Sequence, residues 1–245
     1  MSKSKKFKNA ALLIIGNEIL SGRTQDKNIN YLAKQLFSHG ISLEEVRIIP
    51  DVKSTIIKTV KSLKSNFNYI ISTGGIGATH DDITAESISA ALKKDYCLNK
   101  KALKELEKYY KNKSDLTDAR KKMAYMPKGS KIILNKVSGA PGFQIENIYV
   151  FAGIPIIVEA MMKELLKNIK SNTKIYSKSI KTKFFESMIA QKLKNTEIEF
   201  TDVRVGSYPI FDGKFRGVEI VMNSYSKKNI VLAFKYLKKE LNKKI

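Results

Sequence analysis

Cysteine is almost missing from this sequence. A single one, Cys97, stands among 245 residues, so no intramolecular disulfide can form and no cysteine-rich zinc site can be built. Histidine is nearly as scarce, and His39 and His80 alone argue against a structural zinc centre. Long apolar runs are lacking too. The run Ala10 to Ile15 stops after six residues at Gly16-Asn17-Glu18, far short of the roughly 18 that a membrane span requires. Lys3, Lys5, Lys6 and Lys8 precede it, yet a secretory signal needs a longer apolar region and small residues before a cleavage site. These absences point to a cytoplasmic protein with no membrane partner.

Arginine is the remaining shortage. The formal net charge of +22 comes from 40 Lys and only 5 Arg, whereas nucleic-acid readers favour the planar guanidinium fork. The excess is also spread along the chain, +13 over residues 1–170 and +9 over 171–245. Asn and Ile are abundant as well, so the bias reads as compositional drift. No specific nucleic-acid partner is expected; attraction of anionic small molecules is.

What is present supports a sizeable core, since 43% of residues are hydrophobic. Ala10 to Ile15 reads as a buried strand. Asp26 reads as the cap of a helix with apolar positions Ile29, Leu32, Ala33, Leu36 and Phe37, stopped by Gly40. Ser42 to Ile49 is a second strand, Ile56 to Leu63 a second helix, Tyr69 to Ser72 a third strand and Ile83 to Lys93 a third helix. Such alternation argues a parallel sheet with helices on both faces. Residues 100–124 read as helical and very basic, with Tyr109 and Tyr110 on a helix surface. Lys131 to Leu134, Phe143 to Ile145 and Ile148 to Phe151 read as strands, the last two joined by Glu146-Asn147, and Pro155 opens a helix to about Ile169. The polar segment Lys170-Ser171-Asn172-Thr173 marks a boundary between domains 1–170 and 174–245. The second unit is expected as strand 174–182, helix 184–194, strands near 202–206 and 215–223, and helix 227–243.

In a parallel sheet, ligands bind outside the carboxyl ends of the strands. Gly16-Asn17-Glu18 follows the first strand, Pro50-Asp51 the second, and Thr73-Gly74-Gly75-Ile76-Gly77-Ala78-Thr79-His80-Asp81-Asp82 the third. Glu18, Asp51, Asp81 and Asp82 would therefore meet on one rim, a setting for a hard cation or a polar ligand. The glycines let backbone N–H groups approach a phosphate closely. The loop lacks both G-x-G-x-x-G and the Gly-Lys-Ser/Thr ending, which removes generic dinucleotide dehydrogenases and P-loop enzymes. Asp82 serves equally as a cap for the helix at Ile83, His80 as an exposed loop residue, Cys97 as a buried small hydrophobe, and Gly142 and Gly153 as turn formers.

The segments Gly16 to Gly22 and Thr73 to Gly77, with Thr79 and Asp81-Asp82-Ile83-Thr84, resemble the MoaB/Mog molybdopterin-binding domain. Thr24-Gln25-Asp26-x-Asn28, Pro50-Asp51, Pro141-Gly142-Phe143-Gln144-x-Glu146-Asn147 and Gly153-Ile154-Pro155 are similar to the CinA N-terminal domain and to the corresponding domain of bifunctional FAD synthases. Glu186-Ser187-x-Ile189-Ala190 and Gly206-Ser207-Tyr208-Pro209 extend the likeness into the second unit. Asn17, Ala78 and Ala152 depart from the usual pattern. The resemblance implies a three-layer α/β/α fold with a mostly parallel sheet, plus a small C-terminal α+β unit, and a homo-oligomer. It implies a pterin or nucleotide ligand held by Ser21, Gly22, Thr73, Gly74, Gly75, Gly77, Thr79, Pro141, Gly142 and Gly153. It assigns catalysis to Asp51 and Asp82, and a divalent metal (Mg²⁺, Mn²⁺ or Co²⁺, with K⁺ as a further cation) to Glu18, Asp81 and Asp82. The expected reaction is metal-dependent hydrolysis of a nucleotide pyrophosphate such as FAD or ADP-ribose. The alternatives are adenylyl transfer to molybdopterin and a non-catalytic binding module.

Overall fold

The apolar run near the N-terminus becomes strand β1 (Asn9–Ile15), in which Ala10 to Leu13 are wholly buried. Its neighbours are β2 (Ser42–Ile49), β3 (Tyr69–Thr73) and, beyond β3, β8 (Ile148–Phe151). All four run parallel. Strands β7 (Gly142–Ile145) and β6 (Lys131–Ile133) complete the six-stranded order β2-β1-β3-β8-β7-β6, and these two pair antiparallel. The sheet is mostly parallel, as expected from the β-α alternation. The computed structural model describes residues 8–169, 174–211, 213 and 216–242.

A strand sends successive side chains to opposite faces, and β1 uses both. Ala11, Leu13 and Ile15 pack with Ile56, Val60 and Leu63 of α3 (Lys53–Lys64), Ile88 of α4 (Thr84–Ala91) and Leu106 of α5 (Lys100–Tyr109). Ala10, Leu12 and Ile14 pack with Leu32 and Leu36 of α2 (Asn28–Ser38), and with Val158, Met161 and Met162 of α7 (Pro155–Asn168). Two apolar layers flank one sheet, so the unit has three α/β/α layers. Each fully buried Leu or Ile here contributes about 1.5–3 kcal/mol of transfer free energy.

The parallel arrangement gathers the ends of β1, β2 and β3 at one edge of the sheet. A four-residue helix, α1 (Asn17–Leu20), follows β1 there. The Gly16 N–H donates to Ile49 O at 3.1 Å and the Gly74 N–H to Phe151 O at 3.1 Å, which ties the connecting loops to neighbouring strands.

Residues 100–124, expected to be helical, are so only in separate short pieces. Helix α5 starts at Asn99, whose side chain accepts from the N–H groups of Lys101 and Ala102, and ends at Tyr110, where the backbone turns extended (ψ 90°). A short α6 (Asp118–Lys121) and the 3₁₀ turn Lys122–Ala124 follow. The chain then forms β5 (Tyr125–Pro127), which pairs antiparallel with β4 (Tyr96–Leu98). Three-residue strands carry too little periodicity to be read from sequence. Cys97 lies in this ribbon half-buried rather than in the core, because the ribbon is only two strands wide.

The chain divides into two compact units, one of residues 1–37 and 41–170 and a second of 38–40 and 171–245. The second has a three-stranded antiparallel sheet in the order β10-β11-β9, from β9 (Tyr176–Thr182), β10 (Val203–Phe211) and β11 (Arg216–Ser224). Helices α8 (Glu186–Glu199) and α9 (Lys227–Asn242) supply Ile189, Ile230, Ala233, Leu237 and Leu241 to its own core. This is the small α+β unit expected, with α8 reaching five residues beyond the expected end at 194.

Candidate active site

The third strand runs into Gly74 and Gly75, and both are held in conformations that other residues rarely adopt (φ +97° and +66°). Space is as restrictive as torsion. A Cβ on Gly74 would lie 2.1 Å from Ile15 O, and one on Gly75 would lie 2.2 Å from Thr84 Oγ1. A Cβ on Gly77 would stand 2.6 Å from Asp82 Oδ2. The loop is therefore packed against β1, α4 and Asp82 so tightly that no side chain fits at these three positions.

For Asp82 the sequence leaves cap and ligand equally open, and the structure separates them. Helix α4 begins at Ile83 with no side-chain cap, and the Thr84 N–H donates to Gly75 O at 3.0 Å. The Asp82 carboxylate turns back instead and accepts the Thr79 N–H at 2.8 Å. The Thr79 hydroxyl oxygen lies 2.5 Å from Asp82 Oδ2 and 2.5 Å from Asp81 Oδ1. One hydroxyl proton can serve only one of two carboxylates. The hydrogen bond from Thr79 is the main cause that holds the Asp81 carboxyl below its ordinary range, followed by its own backbone N–H; His80 and Lys122 add smaller pulls, and desolvation opposes them. Lys122 also donates to Thr79 O at 2.7 Å.

The other acidic residues stand separately. Asp51, half-buried, accepts the Asn17 N–H at 2.9 Å and lies beside Gly75, 3.6 Å from the Cβ that residue lacks. The exposed Glu18 carboxylate folds over Gly16, within 2.6 Å of the Cβ position there. Among the described residues no group of three or more His, Cys, Asp or Glu could hold a metal ion. The expected convergence of four carboxylates on one cation is thus not formed by the protein alone. Each carboxylate is drawn to a different backbone N–H or glycine. Asp81, Asp82 and the Thr79 hydroxyl still make a donor set that fits a hard, oxygen-seeking cation of the Mg²⁺ kind, which typically takes one or two carboxylates together with substrate phosphates.

The remaining expected ligand residues divide clearly. Gly75, Gly77, Asp82 and Gly153 line a cavity of about 330 Å³. Gly153 lies beside Gly74, and a Cβ on it would make ordinary van der Waals contact, 3.5 Å from the Gly74 Cα. Thr73 is buried, and its hydroxyl has no hydrogen-bond partner. Ser21 and Gly22 sit exposed after α1, where the Ser21 hydroxyl donates to Glu18 O at 3.3 Å. Pro141 is buried and lines a much smaller void behind the loop, beside Gly77 and Asp82. Gly142 is buried in β7, where a Cβ would strike Val150 O at 2.3 Å, so packing of the strand requires a glycine there. Asp26 is the cap that its position suggests, accepting the Ile29 N–H at 2.8 Å.

Asn28 enters the sequence reading only as part of a motif, and three residues that line the cavity are not picked out as ligands at all. Asn28, 6% exposed, donates to Gly153 O at 2.8 Å and so fixes the loop after β8. Tyr110, Met123 and Ser138 line the cavity. Their signal is weak: each lies outside the Gly-rich loop, and only the fold brings it there.

Comparison with known proteins decides the family. Residues 11–171 match the model described as a probable molybdopterin binding domain. The chain belongs to the molybdopterin-binding-domain family. Residues 174–245 match the FAD synthase middle domain. An Archaeoglobus fulgidus protein is 32% identical over 95% of this chain and 98% of its own length. A CinA-like protein of Thermosipho melanesiensis is 31% identical over 82% of this chain, which spans only 52% of that relative. The crystal structure of CinA, a protein of unknown function from Thermoplasma acidophilum, is 31% identical with a TM-score of 0.63, covering 67% of this chain and 99% of that one. No helix among the described residues of this family member is long and apolar enough to cross a membrane.

Proposed function

We propose that this protein hydrolyses a nucleotide pyrophosphate, such as FAD or ADP-ribose, with a divalent cation. The observation that carries the reading is that Gly75, Ile76 and Gly77 line a cavity together with Asp82, with Asp51 3.6 Å from the Cβ that Gly75 lacks. Backbone N–H groups there would bind the phosphate oxygens and stay fixed throughout the reaction, so that developing charge is stabilised without reorganisation. Asp81 and Asp82 would hold the cation, and Mg²⁺, Mn²⁺ or Co²⁺ would offset phosphate charge and lower the pKa of a water. Asp51, anchored by the Asn17 N–H, would orient or deprotonate the attacking group beside Gly75. The second unit's likeness to the FAD synthase middle domain supports a flavin nucleotide as one substrate.

A second reading has its own support. The family description names molybdopterin, and the same site could pass an adenylyl group to a pterin rather than to water. The experiment is product analysis by chromatography after incubation with FAD, ADP-ribose, NADH and ATP, each with Mg²⁺, Mn²⁺ and Co²⁺. Metal-dependent AMP release that falls about a hundredfold in Asp82→Asn is the expected result. Release unaffected by Asp82→Asn would sink the proposal, and AMP transfer only when molybdopterin is added would establish the second reading.

A further inference from the structure

A second cavity, of about 510 Å³, opens where the β4–β5 ribbon meets the start of α5 and the start of β6. It shares no lining residue with the cavity at Gly75. Successive strand residues point to opposite sides. Tyr96 borders the void beside Gly77 and Asp82, and Cys97, next to it in β4, borders this cavity instead.

The walls carry one sign of charge. Lys100, Lys101, Lys128 and Lys131 are four of the twelve lining residues, whereas the whole chain has 40 Lys in 245. General lysine richness therefore does not account for the cluster, and no Asp or Glu stands among the described lining residues. Lys128 is neutralised by Asp95 at 3.2 Å. Lys100, Lys101 and Lys131 have no ion-pair partner among the described residues.

Neutral polar groups around these lysines are already engaged. Asn99 accepts the N–H groups of Lys101 at 3.0 Å and Ala102 at 3.1 Å, which takes up the donors at the start of α5. Its amide donates to Ser130 O at 3.3 Å, and the Ser130 hydroxyl donates to Pro127 O at 2.6 Å. The Lys128 N–H on Asp95 O, at 2.8 Å, closes the frame. Ammonium charge is what remains to meet a ligand. Beneath it lie Met126, 1% exposed, the buried Pro127 and the half-buried Ile132. Walls of low dielectric under one sign of charge concentrate the field in a cleft.

We propose that this cavity is a second anion site, separate from the Gly-rich loop, for a small phosphate compound carrying two or more negative charges. Three like charges around one opening repel each other, and a multiply charged anion relieves that repulsion. No Arg is among the described lining residues, and this favours phosphate over carboxylate. Ammonium groups are point charges that suit a tetrahedral anion, and they lack the fork that pairs a planar one. The volume lies within the roughly 300–1,000 Å³ usual for small ligands.

Cys97, the only thiol of the chain, reports occupancy because it lines the cavity. The test is titration of the full chain with inorganic pyrophosphate, without divalent cation and at constant ionic strength. Binding is read by calorimetry and by the rate at which N-ethylmaleimide, an uncharged reagent, modifies Cys97. Saturable binding is expected, with modification slowing over the same concentration range. Each of Lys100→Gln, Lys101→Gln and Lys131→Gln raises the half-saturating concentration about threefold, the scale of one exposed charge pair. Combining the three removes the protection of Cys97. No binding of pyrophosphate, or protection that persists in the triple variant, overturns the proposal. Binding that leaves Cys97 modification unchanged also overturns it, since the anion then sits elsewhere. If Cys97 is not modified in the free chain, calorimetry decides: loss of one binding equivalent in the triple variant supports the site, and an unchanged isotherm overturns it. Absence of AMP release from dinucleotides refutes only the pyrophosphatase reading and leaves this site standing.

Discussion

Asp81 and Asp82 are neighbours in sequence and share one hydroxyl, that of Thr79, yet they should answer differently to substitution. Asp82→Asn keeps the shape that receives the Thr79 N–H and removes a charge beside Gly77, so turnover should fall about a hundredfold, the scale of losing one preorganised electrostatic group. The melting midpoint should hardly move. Asp81 has a carboxyl pKa lowered first by the Thr79 hydrogen bond. A lowered pKa keeps the group ionised to lower pH, and the charge is lost only as pH falls through the folded value. The acid limb of the pH–rate profile should therefore lie below the ordinary Asp range, and Thr79→Val should move it upward. A limb unmoved in Thr79→Val would show that Asp81 does not set it. The glycines offer a stability test. Gly74→Ala sets a Cβ 2.1 Å from Ile15 O at φ +97°, and about 3 kcal/mol of destabilisation is expected by urea unfolding. Gly22→Ala has the φ penalty alone, in open space, and should cost about 1 kcal/mol.

At the scale of elements, the long apolar runs and the amphipathic helices were legible because periodicity reports burial directly. Strands β1, β2 and β3 and helices α2, α3 and α7 lie where the pattern of Leu, Ile and Val placed them. The segment 100–124 misled because lysine-rich sequence with Leu103 and Leu106 suits a helix throughout, whereas Tyr110 leaves the helix and the chain goes on to build β5 against β4. The turn from Asn135 to Pro141 was illegible, since its order comes from one buried amide with four partners. Asn135→Ala leaves those groups unpaired. It should destabilise the first unit by about 1–3 kcal/mol, measurable by urea unfolding.

For the whole molecule, the +22 charge acts at a distance rather than in any one contact. Anionic nucleotides should be drawn in faster at low ionic strength, where screening is weak. Raising NaCl from about 20 to about 300 mM should therefore lower kcat/KM while kcat changes little. A kcat that falls in parallel would point to a salt effect on the chemical step. Tyr96 titrates outside the working range: burial first, then Glu86 and Tyr125, push it up to about 12, and it stays neutral near pH 7.

Residue type and spacing were enough to specify the two apolar faces of β1, the three-layer architecture and the Gly-rich loop at the end of β3, because burial and backbone freedom are local properties of the chain. Folding in three dimensions settled the rest: which carboxylates share a partner, that Gly142 is packed against β8, and that Tyr110 and Ser138 line the same cavity as Gly75. Such side chains lie tens of positions apart, and local pattern holds no record of a meeting that depends on how helices and loops close over the sheet.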